Sequence, residues 1–167
     1  MESILFSILR ARFGEPEVAV DSQMEIFWWM RHDDRRRCKL YRRPATADRV
    51  ATLSAALAPV YGEFAGGFLC HEALKVAVSS DPAVWGLYTL KQLQCLPQLK
   101  AALGRDRSIE FFMDSANVWY YGVKGGDLYC YDRETDELYG MGPLRIGINK
   151  LLDEWLDVKA SNERSAL

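Results

Sequence analysis

The chain has 167 residues, of which 49% are hydrophobic, 26% charged and 12% aromatic, and this composition is typical of a single globular domain. Its formal net charge is -2, which argues against a dedicated nucleic-acid-binding protein, because such proteins need a basic surface to displace the counterions of phosphate. No apolar run approaches the roughly 20 residues of a membrane helix, so we expect neither a nucleic-acid partner nor a membrane partner.

The cysteines and histidines do not have the spacing of a metal site. No two of the four cysteines form a C-x-x-C pair, and His32 and His71 are the only histidines in the sequence. The start of the chain, Met1 to Ile4, lacks the basic residues and apolar run of a signal peptide. We therefore expect no metal, no cofactor, reduced thiols and a cytoplasmic location.

The N-terminal part of the chain predicts a helix followed by two strands. Residues 3–13 carry isoleucine and leucine at helical spacing, and Gly14 and Pro16 follow as stop signals. The aromatic segment 24–30 predicts a strand that is buried on both faces or lies at an interface. A charged turn separates it from a second predicted strand at 38–42.

The middle of the chain predicts short helices with glycine and proline boundaries. Residues 46–58 predict an amphipathic helix, and 60–64 predict a helical turn that ends at the pair Gly66-Gly67, since glycine suits a helix terminus at positive φ. Beyond these we predict a strand at 74–78, a turn at 79–84, an extended segment at 85–88, and a helix over 90–103 that Pro97 divides into two pieces.

The C-terminal half predicts hairpins and a closing helix. Alternating apolar residues and turn residues predict strands at 109–113, 118–123, 127–132 and 137–140, followed by an amphipathic helix at 146–158. We therefore predict a single α+β domain whose mixed or antiparallel sheet, with C-terminal β-hairpins, is flanked by N-terminal, middle and C-terminal helices. Residues 1–45 form an extension packed on the main domain, 46–158 form that domain, and 159–167 form a disordered tail.

The order of these elements resembles the SUKH superfamily, also called Smi/Knr-like. The resemblance is carried by LAPVYGEFAGGF at 57–68, GLYTLKQL at 86–93, GVKGGDLYCYDRETDELYGMG at 122–142 and INKLLDEWL at 148–156. Bacterial members of that superfamily are mostly immunity proteins against polymorphic toxins. The resemblance therefore implies a bacterial, non-catalytic protein that neutralises a cognate toxin by direct binding and occlusion of its active site, in toxin-antitoxin pairs, type VI secretion or contact-dependent competition.

Two other functions remain open at this stage. One is a regulatory scaffold or adaptor of the same fold. The other is an enzyme with a dispersed active site, for instance one that uses His71 with Glu63 or Asp114. The sequence leaves open the identity of the toxin, the surface that binds it and the oligomeric state.

Three sequence motifs contain residue types that occur in catalytic or ion-binding sites. In Cys70-His71-Glu72 a thiol, an imidazole and a carboxylate adjoin, but neighbours in an extended segment point to opposite faces, so we expect no nucleophilic pair. The glycines of 122–126 lack the spacing of a phosphate-binding loop. The carboxylates of the hairpin predicted at 127–140 lack the spacing of a calcium-binding loop.

Charged residues are concentrated in two segments that are candidates for partner binding. An acidic hairpin suits a basic toxin cleft, and a basic aromatic segment suits an acidic partner. The hairpin candidates are Asp127, Asp132, Glu134, Asp136 and Glu137. The alternative candidates are Trp28, Trp29, Arg35, Arg36 and Arg37.

Overall fold

The computed structural model describes residues 2–19, 24–31, 34–43, 53–79 and 86–165. Within these residues the chain forms five α-helices and one antiparallel sheet of nine strands, so the predicted α+β class with a single sheet is confirmed. Each strand pairs with the next one along the chain, from β1 at one edge to β9 at the other.

The strands and helices alternate in groups along the chain. The strands are β1 (Glu17–Ala19), β2 (Met24–Arg31), β3 (Asp34–Arg42), β4 (Phe64–Leu69), β5 (Leu74–Val76), β6 (Glu110–Ser115), β7 (Trp119–Lys124), β8 (Asp127–Asp132) and β9 (Glu137–Pro143). The helices are α1 (Ile4–Phe13), α2 (Ala58–Tyr61), α3 (Leu90–Gln94), α4 (Lys100–Arg105) and α5 (Leu144–Ser165).

Helices α1, α2 and α5 pack on one face of the sheet. The ring of Phe6 on α1 stacks on the ring of Phe64 on β4, with 5.3 Å between their centroids. Phe27 of β2 contacts the Phe6 ring edge-on. The Arg12 guanidinium joins α1 to α5, because it donates to the side chain and the carbonyl of Asn149. Residues 1–45 thus contribute a helix and three strands to the same sheet and core as the rest of the chain.

Helices α3 and α4 cover the opposite face over the second half of the sheet. Tyr120 and Tyr131 alternate with the residues that face α5, and they pack against Leu93 and Leu99. Pro97 begins a 3-10 turn between the two helices, so the predicted division of the helix at this proline is confirmed. No helix among the described residues has the length and apolar character that crossing a membrane requires.

The predicted helix terminus at Gly66-Gly67 is wrong. Both glycines lie inside β4, which pairs with β3 and β5. A Cβ at Gly66 would stand 3.0 Å from the carbonyl oxygens of Val76 and Ala77. These glycines therefore allow neighbouring strands to approach β4 closely, and they do not form a turn at positive φ.

Several predicted boundaries also differ from the structure. β3 begins at Asp34, so Arg35, Arg36 and Arg37 are strand residues and not part of the turn predicted between 30 and 38. The helix predicted at 46–58 lies largely outside the described residues, and 53–57 form no helix. Most of the turn predicted at 79–84 also lies outside them.

The closing helix is longer than the sequence predicts. α5 begins at Leu144 and continues through Ser165, so 159–165 are helical where a disordered tail was predicted. No glycine or proline occurs after Gly147, and the segment is rich in residues that favour a helix.

Candidate functional site

The β8–β9 hairpin presents exposed carboxylates on a turn that its own residues close. Asp132 ends β8, and its Oδ1 accepts the backbone N–H of Glu134 at 2.9 Å and, at a longer 3.4 Å, that of Thr135. Asp136 completes the turn at φ +57, a conformation that aspartate tolerates. Glu134 and Glu137 are left exposed on the two sides of this turn.

Asp136 has a structural role within the hairpin. Its carboxylate accepts a hydrogen bond from the Tyr131 hydroxyl at 2.6 Å and pairs with the Arg105 guanidinium of α4 at 2.5 Å. The bond from Tyr131 and the pairing with Arg105 lower the pKa of this carboxyl. Its charge is therefore matched within the chain, and it is less available to a partner than its neighbours.

Asp127 lies away from the other predicted residues. It begins β8, where it pairs with Lys124 and Pro143, whereas Asp132 ends the same strand. Five residue steps along a strand span on the order of 17 Å. The structure therefore brings Asp132, Glu134 and Glu137 together at one end of the sheet and places Asp127 at the other end.

Sequence reasoning missed two residues of this surface, Tyr139 and Glu154. Tyr139 on β9 is 45% exposed although it is a large aromatic residue. Its pKa is raised by burial of the hydroxyl, by a hydrogen bond with Cys130, and by the charges of Glu154 and Asp132. Tyr139 stands opposite Cys130, two positions from Asp132 on β8, so the ring and the Asp132 carboxylate share one face of the hairpin. We call Asp132, Glu134, Glu137, Tyr139 and Glu154 the acidic surface.

The sequence contained a signal for one of the missed residues. Glu137 and Tyr139 are two positions apart on a strand, so their side chains project from the same face of the sheet. Cross-strand pairing also places Glu137 directly opposite Asp132. Glu154 comes from α5, and its approach to this face depends on how that helix packs.

Aromatic side chains form a rigid base beneath the acidic surface. The Trp155 indole of α5 donates to the Tyr121 hydroxyl at 3.1 Å and meets Trp119 edge-on at 5.5 Å between ring centroids. Trp119 in turn pairs with Asp132 across β7 and β8. These contacts fix α5, and with it Glu154, against the strands that carry the other carboxylates.

The alternative basic segment is divided by the sheet. Arg35 and Arg37 alternate with Arg36 along β3, so they project from opposite faces. The Arg35 guanidinium lies 3.7 Å from the centroid of the Trp28 ring, and Glu17 accepts a hydrogen bond from the Trp28 indole. Arg35, the exposed one among the described side chains of this segment, is thus already in contact with Trp28.

Arg36 pairs with Trp29 across β2 and β3 through their backbones. The side chain of Trp29 lies outside the described part of the chain, so its candidacy as an anchor stays a prediction.

The segment Cys70-His71-Glu72 is a tight turn, and the prediction that it is extended is wrong. Its residues have φ values of 51°, 54° and 73°, because the chain reverses between β4 and β5 within them. The Cys70 N–H donates to the buried Cys38 Sγ at 3.2 Å, and Glu72 pairs with Lys39 at 3.6 Å. These contacts give the turn a structural role.

The residue pairs considered for an enzyme differ in their placement. Glu63 precedes β4 and His71 follows it, so this strand separates them, and Glu63 pairs with Arg42 at 3.1 Å. Asp114 lies on β6 opposite Lys75, and burial raises the pKa of its carboxyl. Among the described residues no group of three or more His, Cys, Asp or Glu side chains is placed to hold a metal ion.

One open groove lies beside helices α3 and α4. Its volume is about 500 Å³, and its lining includes Cys95, Lys100 and Arg107. The residues that line it include neither a carboxylate nor a histidine, so the groove does not offer the usual acid and base pair.

No protein-family model, no curated protein and no solved structure matches this chain.

Proposed function

We propose that this protein is a non-catalytic binding protein of the SUKH type that neutralises a cognate antibacterial toxin in the cytoplasm by direct binding. The observation that carries the proposal is the acidic surface, in which Asp132, Glu137 and the 45% exposed Tyr139 share one face of the β8–β9 hairpin, with Glu134 on its turn and Glu154 on the adjoining α5. The resemblance of 46–158 to SUKH domains supports the same function.

The charge of this surface suits a partner with a basic cleft. Toxins that act on nucleic acid bind phosphate and therefore carry basic active sites. Carboxylates on one surface steer such a partner toward it and raise the rate of encounter. Occlusion of the cleft requires only a complementary surface, with no chemical step.

Tyr139 suits the centre of such an interface. Tyrosine is one of the residues that most often contribute strongly to binding, because it buries a large ring and keeps a polar hydroxyl. The ring stands on β9, whose neighbour β8 packs against α5. The backbone that carries it is therefore already ordered, and little conformational entropy is lost when a partner binds.

The test is the association rate with the protein encoded next to this one. Changing Glu134→Lys and Glu137→Lys together should lower the on-rate by about one to three decades at low salt, because exposed charges chiefly set the encounter rate. The loss should shrink as salt rises. The fold should persist, since both side chains are exposed.

A matched control changes the same amount of charge elsewhere. Glu2→Lys with Glu15→Lys alters two exposed carboxylates that flank α1. This control should leave the on-rate within a factor of about two, since neither residue belongs to the acidic surface. Equal on-rates for the parent and the Glu134, Glu137 variant would contradict the proposal and leave the basic segment around Trp28 as the next candidate.

A further inference from the structure

Strand β9 presents an edge that no other described strand covers. It is the last strand in the sheet order and has seven residues, from Glu137 to Pro143. Its inner edge pairs with β8. Alternate backbone groups of a strand point away from its only neighbour, so the outer edge of β9 offers N–H and C=O groups for another chain.

The two edges of the sheet differ in how they discourage such pairing. β1 spans three described residues, Glu17–Ala19, and a very short edge strand offers little backbone for further pairing. On β9 a charge and a proline stand only at the ends, at Glu137 and Pro143. The stretch 138–140 is uncharged, free of proline and in regular register with β8, so the edge lacks these protections there, whereas a bulge at Met141 and Gly142, the latter at φ +82, interrupts the ladder beyond it.

The centre of this edge is also sterically open. A side chain added at Gly140 would meet only the Tyr129 ring at 3.7 Å, and one at Gly142 would meet nothing within 4 Å among the described atoms. The faces of β9 at these two positions therefore have room for the side chains of an added strand.

We propose that β9 receives an extended basic segment of the partner protein as a tenth strand of the sheet. This inference rests on the function proposed above and specifies its binding mode. The partner's main chain pairs with the edge of β9, and its side chains alternate between the two faces. Affinity comes from the ladder and specificity from those side chains.

The two faces of β9 define the chemistry of that segment. One face carries Glu137 and Tyr139, with Asp132 opposite Glu137 and with α5, the helix of Glu154, packed against β9, so the partner residues on this side are lysine or arginine. The other face carries Leu138 and Gly140, which suit small or apolar residues. The segment that fits is therefore an extended run in which basic and apolar residues alternate.

A second copy of this chain suits the edge less well. A two-fold axis perpendicular to the sheet would join β9 to the β9 of the copy and place the same face of both sheets on one side. The two acidic surfaces would then lie side by side, and like charges repel. Charge therefore favours a basic partner over self-association.

The probe is a pair of synthetic peptides of equal length and charge. In one, lysine alternates with valine, and in the other lysine alternates with proline, which cannot donate to a ladder and is disfavoured within strands. The full-length protein is titrated with each peptide, and hydrogen exchange of its backbone amides is measured free and bound. We expect the valine peptide to slow exchange within 138–142 and to bind at least about tenfold more tightly than the proline peptide.

A variant tests the charge requirement of the same site. Glu137→Lys with Glu154→Lys should weaken binding of the valine peptide by about tenfold or more, whereas Glu2→Lys with Glu15→Lys should leave it unchanged. All four side chains are exposed, so both variants should fold.

Four results would overturn the inference. Equal binding of the two peptides, or binding without protection of 138–142, would show that charge alone attracts basic chains, and the proposed function would survive because it does not need strand pairing. No binding of either peptide would reject the edge as a receptor for basic segments. Sedimentation showing a dimer whose 138–142 amides are protected without peptide would assign the edge to a second copy.

Discussion

Gly67 on β4 leaves no room for a side chain, because a Cβ built there would overlap the carbonyl oxygen of Lys39 on β3. Gly67 pairs with Leu40 in the same ladder, so the clash cannot be relieved without separating the two strands. We expect Gly67→Ala to lower the free energy of unfolding by about 3 kcal/mol or more, at the upper end of the cost of overpacking. Urea denaturation measures this loss.

The matched control is the same substitution in an open position. Gly104 lies within α4, and a Cβ there meets nothing within 4 Å. Gly104→Ala should therefore stabilise the protein by about 0.5–1 kcal/mol, because alanine favours a helix. A Gly67→Ala variant as stable as the Gly104→Ala variant would contradict the close approach of β3 and β4.

Trp155 anchors the closing helix through packing and one hydrogen bond. Trp155→Ala should lower the free energy of unfolding by about 3 kcal/mol, since it removes the contact with Trp119 and the bond to Tyr121. Trp155→Phe should cost less, because it keeps an aromatic ring and loses the bond, which is worth about 1 kcal/mol. Thermal denaturation of both variants checks which one loses more stability. Equal losses in the two variants would show that packing of the aromatic ring contributes little.

The sequence predicts elements well where the signal is local. The bounds of β8 agree with the predicted 127–132, and α1 begins one residue after the predicted start at residue 3, because Ser3 caps it with a hydrogen bond to the Phe6 N–H. Both elements have strong periodicity and clear end signals. Their conformation therefore follows from neighbouring residues alone.

Gly66 and Gly67 show why other elements could not be predicted. A glycine pair after a short helical turn favours a helix terminus, but here it allows β4 to approach both β3 and β5 closely. That reason depends on residues about 30 positions away on β3. No local pattern distinguishes the two roles.

In the candidate site, too, features that depend on neighbouring residues were predictable and features that depend on contacts between distant elements were not. The turn with Asp132 and the exposure of Glu134 were predictable from turn chemistry. The pairing of Asp136 with Arg105 and the approach of Glu154 to Tyr139 were not, because both join separate elements. Tertiary packing therefore pairs one predicted carboxylate, Asp136, within the chain, and it brings an unpredicted one, Glu154, to the acidic surface.

The four thiols should differ in reactivity in the native protein. Cys38, Cys70 and Cys130 are buried, whereas Cys95 is exposed. Burial raises the pKa of Cys38 to about 12 and that of Cys130 to about 11, so little of the reactive thiolate forms at neutral pH. We expect a disulfide reagent such as DTNB to label one thiol per chain rapidly, and Cys95→Ser to abolish this phase.

Labelling in denaturant provides the control for the thiol prediction. All four thiols should react once the chain is unfolded, because burial no longer protects them. A second rapid thiol in the native protein would contradict the burial of the core cysteines.

Asp106 and Lys124 should make stability depend on acid pH. The Lys124 ammonium donates to Asp106 Oδ2 at 2.5 Å, and the Ser108 backbone N–H donates to Oδ1 at 3.0 Å. The bonds from Lys124 and Ser108 lower the pKa of Asp106 to about 2, below its value in an unfolded chain, which is about 3.9. The folded state therefore favours the charged carboxylate.

The direction of the pH effect follows from this lowered pKa. Between pH values of about 4 and 2 the unfolded chain binds more protons at this site than the folded chain, so the contribution of Asp106 is complete above about 4 and is lost as the pH falls to about 2. Asp106→Asn should therefore lower the melting temperature at pH 6, and the difference from the parent should shrink toward pH 2. The effect should be small, because the pair is solvent-accessible. Glu15→Gln, for which the structure describes no ion pair, should show no such convergence, and a pH-independent loss in Asp106→Asn would mean that the side chain stabilises through its hydrogen bonds rather than its charge.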